Sequence, residues 1–295
     1  MKYAYFPGCS LHGTAVDYNE SARAVAGHLG VELVEIPNWT CCGSTPAHLT
    51  DDLLAVSLPV KNILQAREIS DQIALCCAAC YSRFKFANKY VQERADIGSQ
   101  VGEVLGVAYS GDMKVRHLLD ILIHDVGLEK IKEGVKKHLG GLKVACYYGC
   151  LLTRPPKVAE FDDPEDPTSL DTMMETLGAE PIWWPYKTEC CGATFSLTRT
   201  DIVLKLSHDI LAQAEKRGAE AIVLACPLCQ ANLDMRQGDI NKRYGVKFDL
   251  PIFYFTQFLG LALGLDGTEL GLQRAMISPM RLLKEKALVR IKDKR

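Results

Sequence analysis

Twelve cysteines stand among the 295 residues of the chain, and ten of them form two sets with the same order. Each set has a single cysteine, then a Cys-Cys-Gly, and then, after a further 33 residues, a Cys-x-x-Cys. Thiolate sulfur is a soft ligand that favours zinc and iron–sulfur clusters, so the repeated spacing predicts two metal centres. The two sets are Cys9, Cys41, Cys42, Cys77 and Cys80, and Cys150, Cys190, Cys191, Cys226 and Cys229.

Five thiolates exceed the four ligands that a structural zinc ion or an ordinary cubane cluster takes. Adjacent cysteines such as Cys41 and Cys42 form a disulfide only through a strained ring, whereas they can serve two metal atoms of one cluster. The ligand count therefore favours an iron–sulfur cluster at each site. A zinc ion in at least one site and a dithiol relay stay open as alternatives.

Strands and helices alternate in both halves, and the predicted strands end where the cysteines begin. Helical periodicity covers 22–29 and 170–177, each closed by a glycine, and longer helices are predicted over 47–67, with a kink at Pro59, and 195–217. A fourth strand and a last helix are expected at 107–109 with 115–126, and at 251–255 with 257–263. The other predicted strands are 3–6, 31–36, 73–75, 143–147, 181–184 and 221–225.

Alternating strands and helices imply parallel βαβ units, in which the carboxyl ends of the strands meet at one edge of the sheet. We therefore predict an α/β fold of two tandem pseudo-symmetric repeats, each a small parallel sheet flanked by helices with a cluster at the carboxyl ends of the strands. The expected units are 1–140 and 141–275, each with one cluster site, followed by a basic C-terminal tail, 276–295.

The composition is that of a globular protein, with 48% hydrophobic residues, 24% charged residues and a formal net charge of −2. This balance gives no support to nucleic-acid binding. No apolar stretch approaches the roughly 18 residues of a membrane-spanning helix, and the first residues lack the apolar core of a signal peptide. We expect a cytoplasmic protein with no nucleic-acid partner and no membrane insertion.

The two motifs, Cys–x31–Cys-Cys-Gly–x33–Cys-x-x-Cys and Cys–x39–Cys-Cys-Gly–x33–Cys-x-x-Cys, resemble the twin cysteine-rich (CCG) domains found in the B subunit of CoB–CoM heterodisulfide reductase from methanogenic archaea. The likeness covers essentially the whole chain. The resemblance implies two noncubane 4Fe-4S clusters, each held by the five cysteines of one repeat. It also implies a role in methanogenesis, the reduction of the mixed disulfide of coenzyme M and coenzyme B (CoM-S-S-CoB) to two thiols.

Two redox centres suit a disulfide, because its reduction takes two electrons and an iron–sulfur cluster normally passes one at a time. We expect the disulfide to lie between the two clusters and to be split homolytically, with one electron from each. Protonation then releases the thiols of coenzyme M and coenzyme B.

The electrons are expected to come from another polypeptide, since the sequence has no Gly-x-Gly-x-x-Gly after a strand, no P-loop and no four-cysteine ferredoxin run. No flavin or nicotinamide is therefore expected on this chain. The resemblance implies a small, ferredoxin-like C subunit with ordinary 4Fe-4S clusters, linked to a flavin-containing A subunit and a hydrogenase or formate dehydrogenase. The basic tail is either part of that interface or a solvated end.

Several other residues near the cysteines are candidates for roles in the reaction. His12 follows Cys9 and could donate a proton to a departing thiolate; a surface role is the alternative. Three basic residues could bind the sulfonate or phosphate of the coenzymes, or could simply be structural. These three are Arg154, Lys187 and Arg199.

The remaining predictions concern packing. Gly43 and Gly192 are expected to let the backbone wrap closely around a cluster. Trp183 and Trp184 are expected to pack, with a place in a substrate channel as the alternative. The two cysteines outside the sets, Cys76 and Cys146, are expected to be buried packing residues.

Competing functions use the same repeat. It also occurs in cysteine-rich subunits of thiol:fumarate reductase, of certain succinate:quinone reductases, and of glycolate, lactate or sulfur oxidation systems, where it passes electrons or meets a quinone. A zinc-stabilised binding module without redox chemistry is the alternative from a different class. Metal content separates the zinc module from all the redox functions.

Overall fold

The computed structural model describes residues 1–44 and 47–289 and contains two four-stranded parallel sheets, one in each half of the chain. The first has the strand order β2-β1-β3-β4 and the second the equivalent order β6-β5-β7-β8. The predicted tandem α/β fold is therefore confirmed. The strands are β1 Lys2–Phe6, β2 Glu32–Glu35, β3 Gln72–Leu75, β4 Lys114–His117, β5 Lys143–Tyr147, β6 Glu180–Pro181, β7 Ala221–Leu224 and β8 Ile252–Tyr254.

Helices connect and cover the strands in both halves. In the first half they are α1 Gly8–His12, α2 Val16–His28, α3 Ala47–Thr50, α4 Asp52–Ala66, α5 Ala78–Glu93, α6 Ala95–Leu105, α7 Leu118–Ile121, the π-helical turn Leu122–Gly127 and α8 Leu128–Gly134. In the second half they are α9 Pro156–Ala159, α10 Ser169–Thr176, the 3₁₀ turn Ala193–Phe195, α11 Thr200–Lys216, α12 Pro227–Leu233, α13 Gln237–Tyr244, α14 Phe255–Leu263, the 3₁₀ turn Leu272–Arg274 and α15 Met280–Glu285.

The central strands are apolar because both faces of each sheet are covered. All four residues of β7 are buried, and only Gln72 of β3 is partly exposed. The edge strand β6 has two residues and ends in Pro181, which cannot donate a hydrogen bond to a further strand. This agrees with the irregular edge strand that its prolines predict.

Helices of one half pack directly on helices of the other half. Helix α14 of the second half packs on α2 of the first, where the Ser21 and Thr256 hydroxyl oxygens lie 2.7 Å apart. Helix α8 of the first half packs on α10 of the second. Enclosure by both halves explains why every residue of α14 is buried. Among the described residues, no helix is both long enough and apolar enough to cross a membrane.

The predicted strand at 107–109 is wrong. Gly106 ends α6 in the left-handed conformation, and Val107 is half exposed in the loop that follows. The fourth strand is β4 instead, and the predicted helix over 115–126 begins only at Leu118. Strand β4 was not predicted because the charged residues Lys114 and Arg116, at alternate positions, interrupt its apolar pattern.

The two long predicted helices also differ from expectation, although the first begins at Ala47 as predicted. The first is broken at Asp51, whose extended backbone and carboxylate cap α4 by accepting the Leu54 amide at 2.7 Å. Pro59 lies inside α4. The second helix starts at Thr200 rather than at 195, after the short 3₁₀ turn.

The start of the basic tail is part of the fold. Leu282 and Leu283 of α15 are buried, and Lys286 forms an ion pair with Glu220 at 2.8 Å. Arg281 pairs with Asp249 on the surface. The remaining basic residues, 290–295, lie outside the described residues.

One buried carboxyl on α2 gives the fold a predictable pH dependence. Asp17 is 5% exposed, and burial raises its pKa from 3.8 to about 6. The protonated form is favoured in the folded chain, so this contribution to stability is present below pH 4 and is lost as the pH rises through 6. We expect Asp17→Asn to raise the free energy of unfolding by up to about 3 kcal/mol at pH 8 and to change it little at pH 4.

Denaturant unfolding at the two pH values measures this difference. Asp249→Asn, at an exposed ion pair, serves as the control and should have little effect at either pH. Equal effects of Asp17→Asn at pH 4 and pH 8 would show that the Asp17 carboxyl is not perturbed by burial.

Candidate metal centre

Three strands of the first sheet deliver the first set of cysteines to one edge. Cys9 follows β1 and lies in α1, while Cys41 and Cys42 lie in the loop after β2. Cys77 follows β3 and is the N-cap residue of α5, with Cys80 in the first turn of that helix. Because β1 and β3 are neighbours whose connections leave in opposite directions, their carboxyl ends form the crevice in which open α/β sheets bind ligands.

The second half repeats this arrangement. Cys150 lies in the turn after β5, and Cys190 and Cys191 lie in the loop after β6. Cys226 is the N-cap residue of α12, which starts at Pro227 with its fixed backbone angle, and Cys229 lies in its first turn. The structure therefore brings each predicted set of five cysteines to one sheet edge.

Within each set the sulfur atoms come close. The Sγ atoms of Cys42 and Cys80 are 3.2 Å apart, and those of Cys191 and Cys229 are 3.6 Å apart. Two thiolates on one tetrahedral metal atom, at about 2.3 Å from it, would be about 3.8 Å apart. Each close pair is therefore suited to share one metal atom, which leaves three further thiols of the set for other metal atoms.

Each site has an inner and an outer part. In the first set Cys42, Cys77 and Cys80 are buried, whereas Cys9 and Cys41 are exposed. The second set is arranged in the same way: its inner cysteines are Cys191, Cys226 and Cys229, its outer ones the partly buried Cys150 and the exposed Cys190. Both sites are thus closed on the protein side and accessible from solvent on the other.

The two sites meet in the interior. The side chains of Cys77 and Cys226, one from each set, are buried and lie close enough to shift each other's pKa, that of Cys77 upward and that of Cys226 downward. These cysteines follow the equivalent strands β3 and β7. The two predicted centres are therefore adjacent, with one ligand position of each close to the other.

The electrostatics of the thiols favour ionised sulfur at particular positions. Hydrogen bonds from Cys229 and Cys77, supported by the Cys229 and Leu228 amides at the start of α12, hold the pKa of Cys226 well below its usual value. A hydrogen bond from Cys150, together with the Gly192 amide, lowers the pKa of Cys190 to about 6. Thiolate is the ligand form of cysteine, so both positions are prepared for a metal.

Two buried tyrosines support the fit of a larger inorganic group. The Tyr18 and Tyr254 rings stack with centroids 3.9 Å apart, and neither hydroxyl has a hydrogen-bond partner among the described residues. Burial and, after it, the charges of nearby groups that include Cys226 raise the pKa of both phenols, so both keep their protons. An unpaired buried hydroxyl costs about 1–3 kcal/mol, and the sulfides of a cluster held by Cys226 would provide acceptors.

The donor set suits a cluster better than a single ion. In the described part of the chain, no three His, Cys, Asp or Glu side chains converge on one point where a metal ion would sit. The ligands of a cluster attach to several metal atoms and need no such convergence. Five thiols at one sheet edge provide the soft sulfur ligands that a cluster takes, so the residues present fit an iron–sulfur cluster at each site.

Two glycines that the sequence pattern did not reveal approach the sulfurs more closely than the two predicted ones. A Cβ on Gly8 would lie 3.3 Å from the Cys80 sulfur, and one on Gly149 would lie 3.1 Å from the Cys229 sulfur. A Cβ on Gly43 would instead meet Leu58, and one on Gly192 would meet Leu206. Gly8 and Gly149 directly precede Cys9 and Cys150, so a Gly-Cys step after a strand is the signal that could have identified them.

We expect Gly149→Ala to damage the second site specifically. Gly149 has a φ of +67°, where alanine costs about 1–2 kcal/mol, and the added methyl group would also press on the Cys229 sulfur. The matched control is Gly141→Ala, because Gly141 has a similar φ of +64° and open space around its Cβ position. Both variants should lose stability, but only Gly149→Ala should lose iron, measured per chain. Equal iron contents would contradict the close approach.

The proposed proton donor and anion-binding residues have partners of their own. His12 Nε2 lies 3.1 Å from a Glu35 carboxylate oxygen, next to Trp39. The basic residues contact carboxylates: Arg154 pairs with Glu165, Lys187 with Asp166 and Asp171, and Arg199 with Asp201. Of these, Lys187 is buried.

The two predicted packing tryptophans differ in their burial. Trp184 is buried and donates its indole N–H to the Cys146 carbonyl at 3.0 Å, which agrees with the packing role predicted for it. Trp183 is instead mostly exposed, with the Arg217 guanidinium 5.0 Å from its ring centre. Cys76 and Cys146 are fully buried, as predicted.

The cysteine motifs match a known protein family. A family model described as a cysteine-rich (CCG) domain matches the chain twice, over residues 3–85 and 144–234. Each matched segment contains one complete set of five cysteines. The internal repeat in the sequence therefore coincides with two copies of one family domain.

Several curated proteins are similar over nearly their whole length. The chain is 33% identical to the 8-methylmenaquinol:fumarate reductase membrane anchor subunit of Wolinella succinogenes, over 95% of this chain and 99% of that protein. It is 28% identical to the B subunit of the ferredoxin/F(420)H(2)-dependent CoB-CoM heterodisulfide reductase of Methanosarcina acetivorans, over 96% of both. It is 30% identical to a heterodisulfide reductase B-subunit-like protein of Archaeoglobus profundus, over 90% of this chain and 92% of that one.

A solved structure shares the fold. The crystal structure of a hypothetical protein from Helicobacter pylori matches 94% of this chain and 52% of its own, with a TM-score of 0.74. The sequence identity is 12%, so this likeness concerns the architecture of the two repeats alone.

Proposed function

Since the chain belongs to the cysteine-rich (CCG) domain family, we propose that it is the catalytic iron–sulfur subunit of a heterodisulfide reductase. In this proposal the repeat 1–140 and the repeat 141–275 each hold one noncubane 4Fe-4S cluster with their five cysteines. The substrate is CoM-S-S-CoB, and the setting is the cytoplasm of a methanogen. The observation that carries the proposal is the closeness of the buried Cys77 and Cys226 side chains, one from each set.

That closeness matters because of the electron count. Reduction of a disulfide to two thiols consumes two electrons and two protons. When bound, each cluster supplies one electron at a time and an iron atom that can accept sulfur. In this proposal, two sites that approach each other at Cys77 and Cys226 hold their centres close enough to act on the same sulfur–sulfur bond.

The chain itself positions the reacting groups, excludes water and supplies a proton. The inner cysteines of each set anchor a cluster in the dry interior, while exposed Cys9, Cys41 and Cys190 mark the side from which a substrate arrives. His12, three residues after Cys9 in α1, is 44% exposed and shares a hydrogen-bonding contact with Glu35, which can return a proton to it from solvent. We assign to His12 Nε2 the proton for one departing thiolate, and solvent at the exposed side of the second site supplies the other.

Partner polypeptides supply the electrons in this proposal. A small C subunit with ordinary 4Fe-4S clusters docks on the chain and connects it to a flavin-containing A subunit with a hydrogenase or formate dehydrogenase. The likeness to the B subunits of heterodisulfide reductases supports this assembly.

The proposal is tested by adding CoM-S-S-CoB to the oxidised, iron-loaded chain under anaerobic conditions. We expect a new paramagnetic signal that depends on the disulfide, together with thiol formation when a viologen dye supplies electrons. A chain that contains iron but gives neither signal nor thiols would rule out this substrate.

A second candidate function is supported by the 33% identity to the anchor protein of the menaquinol:fumarate reductase. The carboxylate pairing of Arg154, Lys187 and Arg199 also favours an uncharged substrate over an anionic coenzyme. In this alternative the chain passes electrons to or from a quinone. A menaquinol analogue that reduces the iron-loaded chain, while CoM-S-S-CoB has no effect, would select it.

A further inference from the structure

His117 connects the two sites and was not identified from the sequence. It is the last residue of β4 and is fully buried. Its Nε2 atom lies 3.0 Å from the carbonyl oxygen of Cys76 and 3.2 Å from that of Ala225. These are the residues directly before Cys77 in the first set and Cys226 in the second.

The hydrogen bonds of the ring determine its tautomer. The Leu119 amide donates to Nδ1 at 3.2 Å, so Nδ1 is the acceptor nitrogen. The proton therefore resides on Nε2, which donates to both carbonyl oxygens at once. Both ring nitrogens are thus used in holding backbone, and neither is available to exchange a proton with a substrate.

Aromatic rings from both halves hold the imidazole in place. Tyr81 of α5 and Phe161, which follows α9, each lie edge-on to it with centroids 6.0 Å away, and Phe255 of α14 lies at 6.5 Å. The Tyr81 hydroxyl in turn donates to the Ala159 carbonyl of the second half at 2.6 Å. The ring therefore has little freedom to move.

The two sheets are separate, so no strand pairing sets the distance between β3 and β7. We propose that His117 is the positioning residue that sets the separation of the two metal centres, because its single N–H binds the backbone immediately before one ligand of each. This rests on the proposed function in that both sites hold clusters. The equivalent strand end in the second half carries Tyr254. The positioning histidine therefore comes from the first half and has no counterpart at that position of the second.

The test compares variants with and without the donor. In His117→Gln the side-chain amide can still donate to both carbonyls, whereas His117→Leu and His117→Phe remove the donor and keep an apolar or aromatic filling. Iron per chain is measured first. The magnetic interaction between the two paramagnetic centres is then measured by electron paramagnetic resonance, and disulfide reduction is measured last.

We expect the leucine and phenylalanine variants to keep their iron, to lose most of the magnetic interaction and to slow by on the order of 10- to 100-fold, with His117→Gln close to the parent chain. An unchanged interaction in the variants without the donor would overturn the proposal. So would the same loss in His117→Gln, because the donor would then not be what matters.

A metal-free measurement separates this proposal from the proposed function. In the metal-free full chain, limiting diamide should link Cys77 to Cys226, detected by peptide mapping, and His117→Leu should lower that yield several-fold relative to His117→Gln. Equal yields would overturn the positioning role. Failure of the parent chain to bind iron would instead count against the clusters, and the diamide result would still decide the role of His117.

Discussion

Replacement of Cys191 by serine is expected to abolish disulfide reduction and to lower the iron content from about eight to about four atoms per chain. Cys191 is buried, and its sulfur lies 3.6 Å from that of Cys229. Serine keeps the volume but replaces a soft sulfur ligand with a hard hydroxyl that binds iron poorly. The second site is then lost, and a single remaining centre cannot supply both electrons.

The matched control is Cys146→Ala, which removes a buried cysteine of the same half that belongs to neither set. It should keep full iron content and most of the activity. Cys42→Ser should reproduce the Cys191→Ser result at the first site, since Cys42 has the equivalent contact with Cys80. Intact turnover in either serine variant would refute the requirement for two centres.

Lys187→Met is expected to lower the free energy of unfolding by about 3–5 kcal/mol. The Lys187 side chain is 7% exposed, and its ammonium contacts Asp171 at 3.0 Å and the Pro167 carbonyl at 2.9 Å. Methionine fills the space but leaves the Asp171 carboxylate buried without its cation. Because the Lys187 carbonyl also accepts the Gly149 amide, the loss should loosen the turn that carries Cys150.

Arg199→Met is the comparison for Lys187→Met, because Arg199 pairs with Asp201 where both side chains are about half exposed. Because that pair is exposed to solvent, its loss should leave the free energy of unfolding almost unchanged. Denaturant unfolding of the two variants separates a structural Lys187 from one that binds a substrate anion. A stable Lys187→Met variant with a raised KM would favour the anion site.

The sequence predicted those features of the fold that depend on local pattern. The cysteine spacing indicated the repeat, and buried apolar runs predicted the inner strands β1, β3, β5 and β7. Strand β4 was missed because Lys114 and Arg116 break its apolar pattern and the helix follows directly at Leu118. The break before α4 depends on one capping side chain, Asp51, which periodicity does not register.

Features that depend on docking between the halves could not be predicted. The cysteine spacing assigned the two sets to two sites, but the closeness of Cys77 and Cys226 follows from how the two sheets meet. Nothing in the sequence distinguishes His117 from an ordinary histidine at the end of a strand, because its hydrogen-bond partners lie 41 and 108 residues away in the chain. The carboxylate partners of Lys187 likewise depend on how the loop before α10 folds back.

Metal analysis of the chain purified under anaerobic conditions tests the central claim most directly. If ten cysteines hold two clusters in adjacent sites, about eight iron atoms and a similar amount of acid-labile sulfide should be found per chain. One or two zinc ions per chain, with neither iron nor sulfide, would contradict the account.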